Sequence, residues 1–226
     1  MPHADFSLIR REIRDAARRE FSEIRSKAPG ESFYTFALYS DGDATTVCPA
    51  ANTEQGYERR VKKYRSDREF MEMLKSFNLP FSPFDYRWGT NEWAHLHGGS
   101  GHFAAVSAKI SADDAYDATA DDGFAKHKGR VFAAMLLGLK DLDAEGFFGV
   151  GEQRERIILF CSATDASETA WLEEESARRL NSAAAYQSFF DQWITNTVMA
   201  ENLADHKLDL DDDEVYREFS LSLEAG

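Results

Sequence analysis

Phe6, Ile9, Ile13, Ala16, Ala17, Phe21 and Ile24 recur every three or four positions, with arginines and glutamates between them, until Pro29 and Gly30 interrupt the pattern. That spacing places all seven on one face and predicts an amphipathic first helix. In FYTFALYSDGDATTVCP, β-branched and aromatic residues flank Asp41-Gly42, which predicts a hairpin or a strand, loop and strand. Asn52 with Gln55 and Ser66 with Glu69 have the spacing of helix-start boxes, so two helices or one broken helix should fill Thr53 to Phe77. Pro80 to Asp85 reads as an irregular bridge.

Beyond it, His102 to Ile110 reads as extended and leads into an acidic helix start at Ser111 to Asp114. From Gly123, the positions Phe124, Val131, Phe132, Met135, Leu136, Leu139 and Leu142 make a wide helical stripe. The unalternating apolar run Ile157 to Cys161 predicts a buried strand in a central position. Two helices, Ser167 to Leu180 and Ser182 to Met199, should close the chain, the second burying Tyr186, Phe189, Phe190, Trp193 and Ile194. Helices outnumber strands without alternating regularly, so the expected class is α+β: a small mixed or mainly antiparallel sheet covered by several amphipathic helices. One domain over residues 1–204 and an acidic C-terminal tail over 205–226 are expected.

Composition narrows the functional classes. The chain has 226 residues, 43% apolar and 13% aromatic, enough for one substantial core. Its longest apolar run, Val131 to Leu139, is too short to span a bilayer, so no membrane span is expected. The charged N-terminal stretch lacks the apolar segment of a signal peptide, and the expected location is cytoplasmic. Cys48 and Cys161 lie in or beside apolar runs and should be reduced, buried thiols. The net charge of −14 argues against nucleic-acid binding and suits a basic protein partner. Nine acids against two bases fall between Glu201 and Gly226.

The densest chemistry lies in RWGTNEWAHLHGGSGHF, Arg87 to Phe103. Read as a hairpin of strands Glu92–His97 and His102–Val106, it puts Trp93, His95 and His97 on one face and His97 opposite His102. Three imidazoles on that face would suit Zn or Fe with an open water position; otherwise the cluster is a loop tip that needs no cofactor. Glu92 would face away. Arg87, Trp88 and Trp93 could alternatively line a pocket for a small anion.

Other segments reduce to simpler explanations. GGSG at 98–101 and GVG at 149–151 match no phosphate-binding pattern. The basic block Glu58 to Arg68, with Tyr57, Val61 and Tyr64 on one face, is a packed inner face under a solvated outer one. DLDDDE, Asp209 to Glu214, lacks the glycine and the final glutamate of a calcium loop. His127 reads as a hydrogen-bonded residue at the core edge. Ser162 has no nucleophile elbow around it, and Asp165 with Glu168 reads as a helix cap.

The order of these segments is itself informative. The charged first helix, FYTFALYSDG, the basic helix ending in YRSD, RWGTNEWAHL, LFCSATD and WLEEESARRLN together resemble an uncharacterised bacterial family, one of the numbered domains of unknown function. The likeness runs to about Met199 and rests best on Trp88, Glu92, Trp93 and the SATD turn. It implies a small accessory protein of the kind found beside toxin and secretion genes, where immunity proteins also occur. It implies binding more than chemistry, and no histidine triad belongs to the pattern. The leading expectation is therefore a non-catalytic protein-binding module, in one form an immunity protein neutralising a basic toxin, with Arg87, Trp88, Glu92 and Trp93 as contact residues. A metal-dependent hydrolase using His95, His97 and His102 and an anionic-ligand pocket stand as alternatives.

Overall fold

The computed structural model describes residues 4–96, 101–112, 123–164, 166–203, 207–211 and 215. In chain order these form α1 (Phe6–Lys27), β1 (Phe33–Ser40), β2 (Val47–Thr53), α2 (Glu54–Ser66), α3 (Arg68–Ser76), α4 (Pro83–Trp88), β3 (His95–Leu96), α5 (Ala104–Ser111), α6 (Gly123–Ala144), α7 (Glu152–Glu155), β4 (Ile158–Ala163), α8 (Thr169–Leu180), α9 (Ala183–Trp193) and α10 (Thr197–Asn202), with 3-10 turns at Thr90–Glu92 and Gly101–Phe103. The sheet order is β3-β2-β1-β4. Its first two pairings are antiparallel, and β1 runs parallel to β4. The fold class is α+β with a mixed sheet.

Alternation along the strands divides the core in two. Phe36 and Leu38 of β1 and Leu159 and Cys161 of β4 face α1 and α6, where Ile13, Phe21, Phe132 and Leu139 are fully buried. Ala37, Ile158 and Phe160 face the other way, onto Trp88, Trp93, Phe189 and Trp193, and Tyr34 joins them because the register shifts between Phe33 and Thr35. Asp5 caps α1 by accepting from the N–H groups of Ser7 and Leu8. Arg10 of α1 makes a bidentate pair with Asp141 of α6 at 2.8 and 2.5 Å, joining the two long helices through a buried contact. Leu210, from the stretch expected to be a tail, is buried in the α1–α6 core.

The helix starts differ from the expected boxes by one residue. Thr53, not Asn52, caps α2 through its hydroxyl, and Asp67, not Ser66, caps α3. Asn52 is engaged elsewhere, donating to Tyr34 Oη at 2.9 Å and accepting from Ala94 N–H at 3.3 Å, while Ser66 donates back to the Lys62 carbonyl. The expected irregular bridge contains α4, which starts at Pro83, where a missing N–H costs nothing.

His102 to Ile110 is a 3-10 turn and a helix rather than an extended segment. Phe103, Val106 and Ile110 are buried at helical spacing, and the alanines between them favour that choice. The acidic helix start expected at Ser111 to Asp114 falls mostly outside the described residues.

The apolar strand β4 lies at an edge of the sheet, not its centre. It reads as central because α8 closes its outer side with polar side chains. Asn181 accepts from Leu159 N–H at 3.0 Å and donates to the Leu159 carbonyl at 2.8 Å; Ser176 Oγ accepts from Cys161 N–H at 2.8 Å; Thr169 Oγ1 donates to the Ala163 carbonyl at 2.8 Å. With both faces packed and the edge satisfied this way, every residue of β4 is buried.

Candidate functional site

The segment Arg87 to Trp93 is held by its own polar groups. Arg87 reaches Glu54 with both terminal nitrogens, at 2.9 and 2.7 Å, and lies over the Tyr34 ring at 4.1 Å. Burial works against its charge, yet the Glu54 pair leaves its pKa raised overall. The Arg87 carbonyl accepts from Tyr34 Oη at 2.8 Å and from Trp93 Nε1 at 3.0 Å. Gly89 turns the chain out of α4 where an added Cβ would meet the Asp85 carbonyl at 2.7 Å. Glu92 turns toward α2, with Oε2 3.3 Å from Arg60 Nε and 3.2 Å from Tyr64 Oη. Trp93 packs edge-on against Phe160, and Trp88 packs edge-on against Phe189. Arg87, Trp88, Glu92 and Trp93 thus stand within one segment but face different neighbours.

The histidines have separate surroundings. His95 in β3 lies 3.6 Å from Glu31 Oε2 and against the Phe33 ring, while His102 lies 2.7 Å from Glu23 Oε1 on α1. The hairpin that would have faced His97 with His102 is absent, since His102 begins the turn into α5; His97 itself lies outside the described residues. Among the described residues no group of three His, Cys, Asp or Glu side chains is placed to hold a metal. His127 is buried, with Nε2 3.2 Å from the Ala44 carbonyl. Both cysteines are buried free thiols, and burial pushes the Cys161 thiol up.

A cleft of about 710 Å³ opens between Gly89–Glu92, the SATD turn at the C-terminal end of β4, the start of α8, and Asn196 and Met199. This end of a parallel strand pair is where side chains and turn backbone are free to meet a ligand. At the back of the cleft stands Glu173, buried on α8. Its Oε1 accepts from Ser162 Oγ at 2.6 Å and its Oε2 from Trp193 Nε1 at 2.7 Å. Burial raises its pKa to about 7, although both hydrogen bonds pull the other way. Asp85, on α4, lines the same cleft and is also raised by burial, against a hydrogen bond from Ser82 Oγ. Among the described residues no lysine, arginine or histidine lines the cleft. Asp165, in the SATD turn, is outside the described residues.

Sequence reasoning touched this site at Ser162 but missed Glu173 and Asp85. The signal for Glu173 was available: Glu173, Ser176, Ala177 and Leu180 follow the i, i+3, i+4, i+7 spacing of the buried face of α8, so one acid of the run Glu173 to Glu175 had to face inward. Asp85 carried none, because its exposure depends on how α4 meets α9 and α10.

A family model described as a domain of unknown function (DUF4303) matches residues 13–182. No curated protein matches the chain. No solved structure matches it.

Proposed function

The chain belongs to the DUF4303 family, a domain of unknown function, and we propose that it is a non-catalytic binding module that takes a cationic side chain of a basic protein partner into the cleft beside β4. The observation that carries this reading is the lining of that cleft: Asp85 and Glu173 both border it, both are raised by burial, and among the described residues no cation lines it to offset them. A lysine or arginine from a partner would supply the missing counter-charge and favour both carboxylates in their ionised form. The rest of the molecule is consistent with such a partner. Its net charge is −14, while Arg10, Arg87, Lys128 and Arg154 are occupied by internal carboxylates. Long-range attraction would then bring a basic surface to an acidic one before contact. A bacterial immunity protein that masks a basic toxin is the specific form this reading takes.

The experiment is affinity purification from the native host with the tagged wild type and with an Asp85→Asn/Glu173→Gln double variant. A basic protein retained by the wild type, released by raised salt and not retained by the double variant is the expected result. Equal retention by both, or recovery of the wild type alone at every ionic strength, overturns the reading.

A further inference from the structure

From Tyr57 to Arg87 no residue is buried. Tyr57, Val61 and Tyr64, which the sequence casts as the packed inner face of the basic helix, are only half-buried. Phe70, Met73, Leu74 and Phe77 follow the i, i+3, i+4, i+7 spacing of one apolar face, yet α3 buries none of its residues. Met73, Phe77, Leu79 and Phe84 are exposed here together, whereas the other large exposed apolar residues described, Leu8, Leu96 and Val150, are scattered. The arm has its own fixed frame: Asp67 caps α3, the Leu79 N–H returns to the Leu74 carbonyl at 2.9 Å, and Tyr86 stacks on Tyr64 and Phe81 at 4.6 and 5.5 Å. A preformed apolar surface left uncovered marks an interaction site.

Charge decides what covers it. A groove of about 450 Å³ opens on this arm between α2 and the start of α4, with Tyr57, Val61 and Pro83 as its apolar lining and Lys62 and Arg65 beside them. The neighbouring cations are engaged: Arg59 by Glu31 at 2.9 Å, Arg60 by Glu92 at 3.3 Å and Arg68 by Glu72 at 2.9 Å. Lys62 and Arg65 have no carboxylate partner among the described residues, although the chain carries a net charge of −14. Arg65 lies over the Phe81 ring at 5.2 Å, a contact that places the guanidinium without using its N–H donors. Glu58, the one acid lining the groove, pairs with neither. We infer that this groove is a docking site for an acidic, amphipathic segment of another protein. A bulky apolar side chain of that segment packs on Tyr57, Val61 and Pro83 while flanking carboxylates pair with Lys62 and Arg65. A short segment feels only charges within about 8 Å at physiological salt, so it meets these two cations, whereas an anionic bilayer would face the acidic chain as a whole. The inference is independent of the cleft beside β4.

The test is selection of a phage-displayed random peptide library on the full chain, followed by binding of the enriched peptides to Lys62→Glu/Arg65→Glu and to Asp85→Asn/Glu173→Gln. Peptides lost on the first variant and kept on the second belong to the groove, and these should carry aspartates or glutamates around a bulky apolar residue. Exchanging their acids for amides, or Val61→Ser in the protein, should weaken binding by about tenfold. Versions with lysine in place of the acids should bind Lys62→Glu/Arg65→Glu, which shows that the variant is folded and has lost charge pairing alone. The inference is overturned if no peptides fall in this class, if those that do are basic or uncharged, or if the lysine versions fail on the charge-reversed variant. Co-sedimentation of the wild type with phosphatidylglycerol vesicles, removed by Lys62→Glu/Arg65→Glu, would give the surface to a bilayer and overturn it as well.

Discussion

Ser162 Oγ donates a 2.6 Å hydrogen bond to Glu173 Oε1, tying the last turn of β4 to the buried face of α8 beneath the acidic cleft. The carboxyl is held there with its pKa raised to about 7 from an ordinary value of 4.5. Between these values the folded chain binds a proton that the unfolded chain has released, so stability falls as pH rises through that window and is level above it. The loss amounts to about 3 kcal/mol. Glu173→Gln, which keeps an acceptor for Trp193 and offers a donor to Ser162, should remove this dependence. Urea denaturation of both proteins from pH 4.5 to 8 should show the variant gaining on the wild type as pH rises, and parallel curves would contradict the assignment.

Binding of a basic partner should show the opposite sense of pH. A cationic side chain favours the ionised carboxylate, so association should strengthen as pH rises through 7 and release a proton near neutrality. Calorimetry of the purified complex in buffers of different ionisation enthalpy measures that proton, and Glu173→Gln should release none.

The Arg10–Asp141 pair predicts a steep penalty for breaking one side. Asp141→Ala leaves the Arg10 guanidinium buried without its bidentate partner and should cost about 3–5 kcal/mol. Replacing both residues by apolar side chains of similar volume should recover most of that loss in equilibrium unfolding.

Gly129 predicts a local release. An added Cβ would meet the Asp209 carbonyl at 2.5 Å, and that atom is backbone, so residues 207–211 must move away from α6. Gly129→Ala should destabilise by about 1–3 kcal/mol and speed tryptic cleavage after Lys207 several-fold. Unchanged cleavage would show that the segment is not held by this contact.

How far the sequence could be read depended on what each residue answers to. α1, the β1–β2 hairpin and α6 declared themselves because their periodicity reflects burial against the rest of the core. His102 to Ile110 was misread as extended because alternation in a short stretch says nothing certain about backbone conformation, and Phe103, Val106 and Ile110 fit helical spacing as well. At the site, Trp88 and Trp93 were visible by composition. Their roles, one edge-on to Phe189 and the other donating to the Arg87 carbonyl, depend on contacts across more than sixty residues or through backbone atoms. Glu173 was legible from its place on the α8 face, but the want of a cation among the described residues lining its cleft was not.

The closure of β4 by Asn181 and Ser176 also bears on how the chain fails. While α8 is docked, Leu159 and Cys161 offer no free backbone groups on that side to an approaching strand. Asn181→Ala should lower stability by about 1–3 kcal/mol and accelerate exchange of the Leu159 amide. If α8 lifts, the six-residue run Ile158 to Ala163 becomes an apolar edge ready to recruit another chain, so a partial opening of this one helix, well short of global unfolding, is the step at which aggregation would begin.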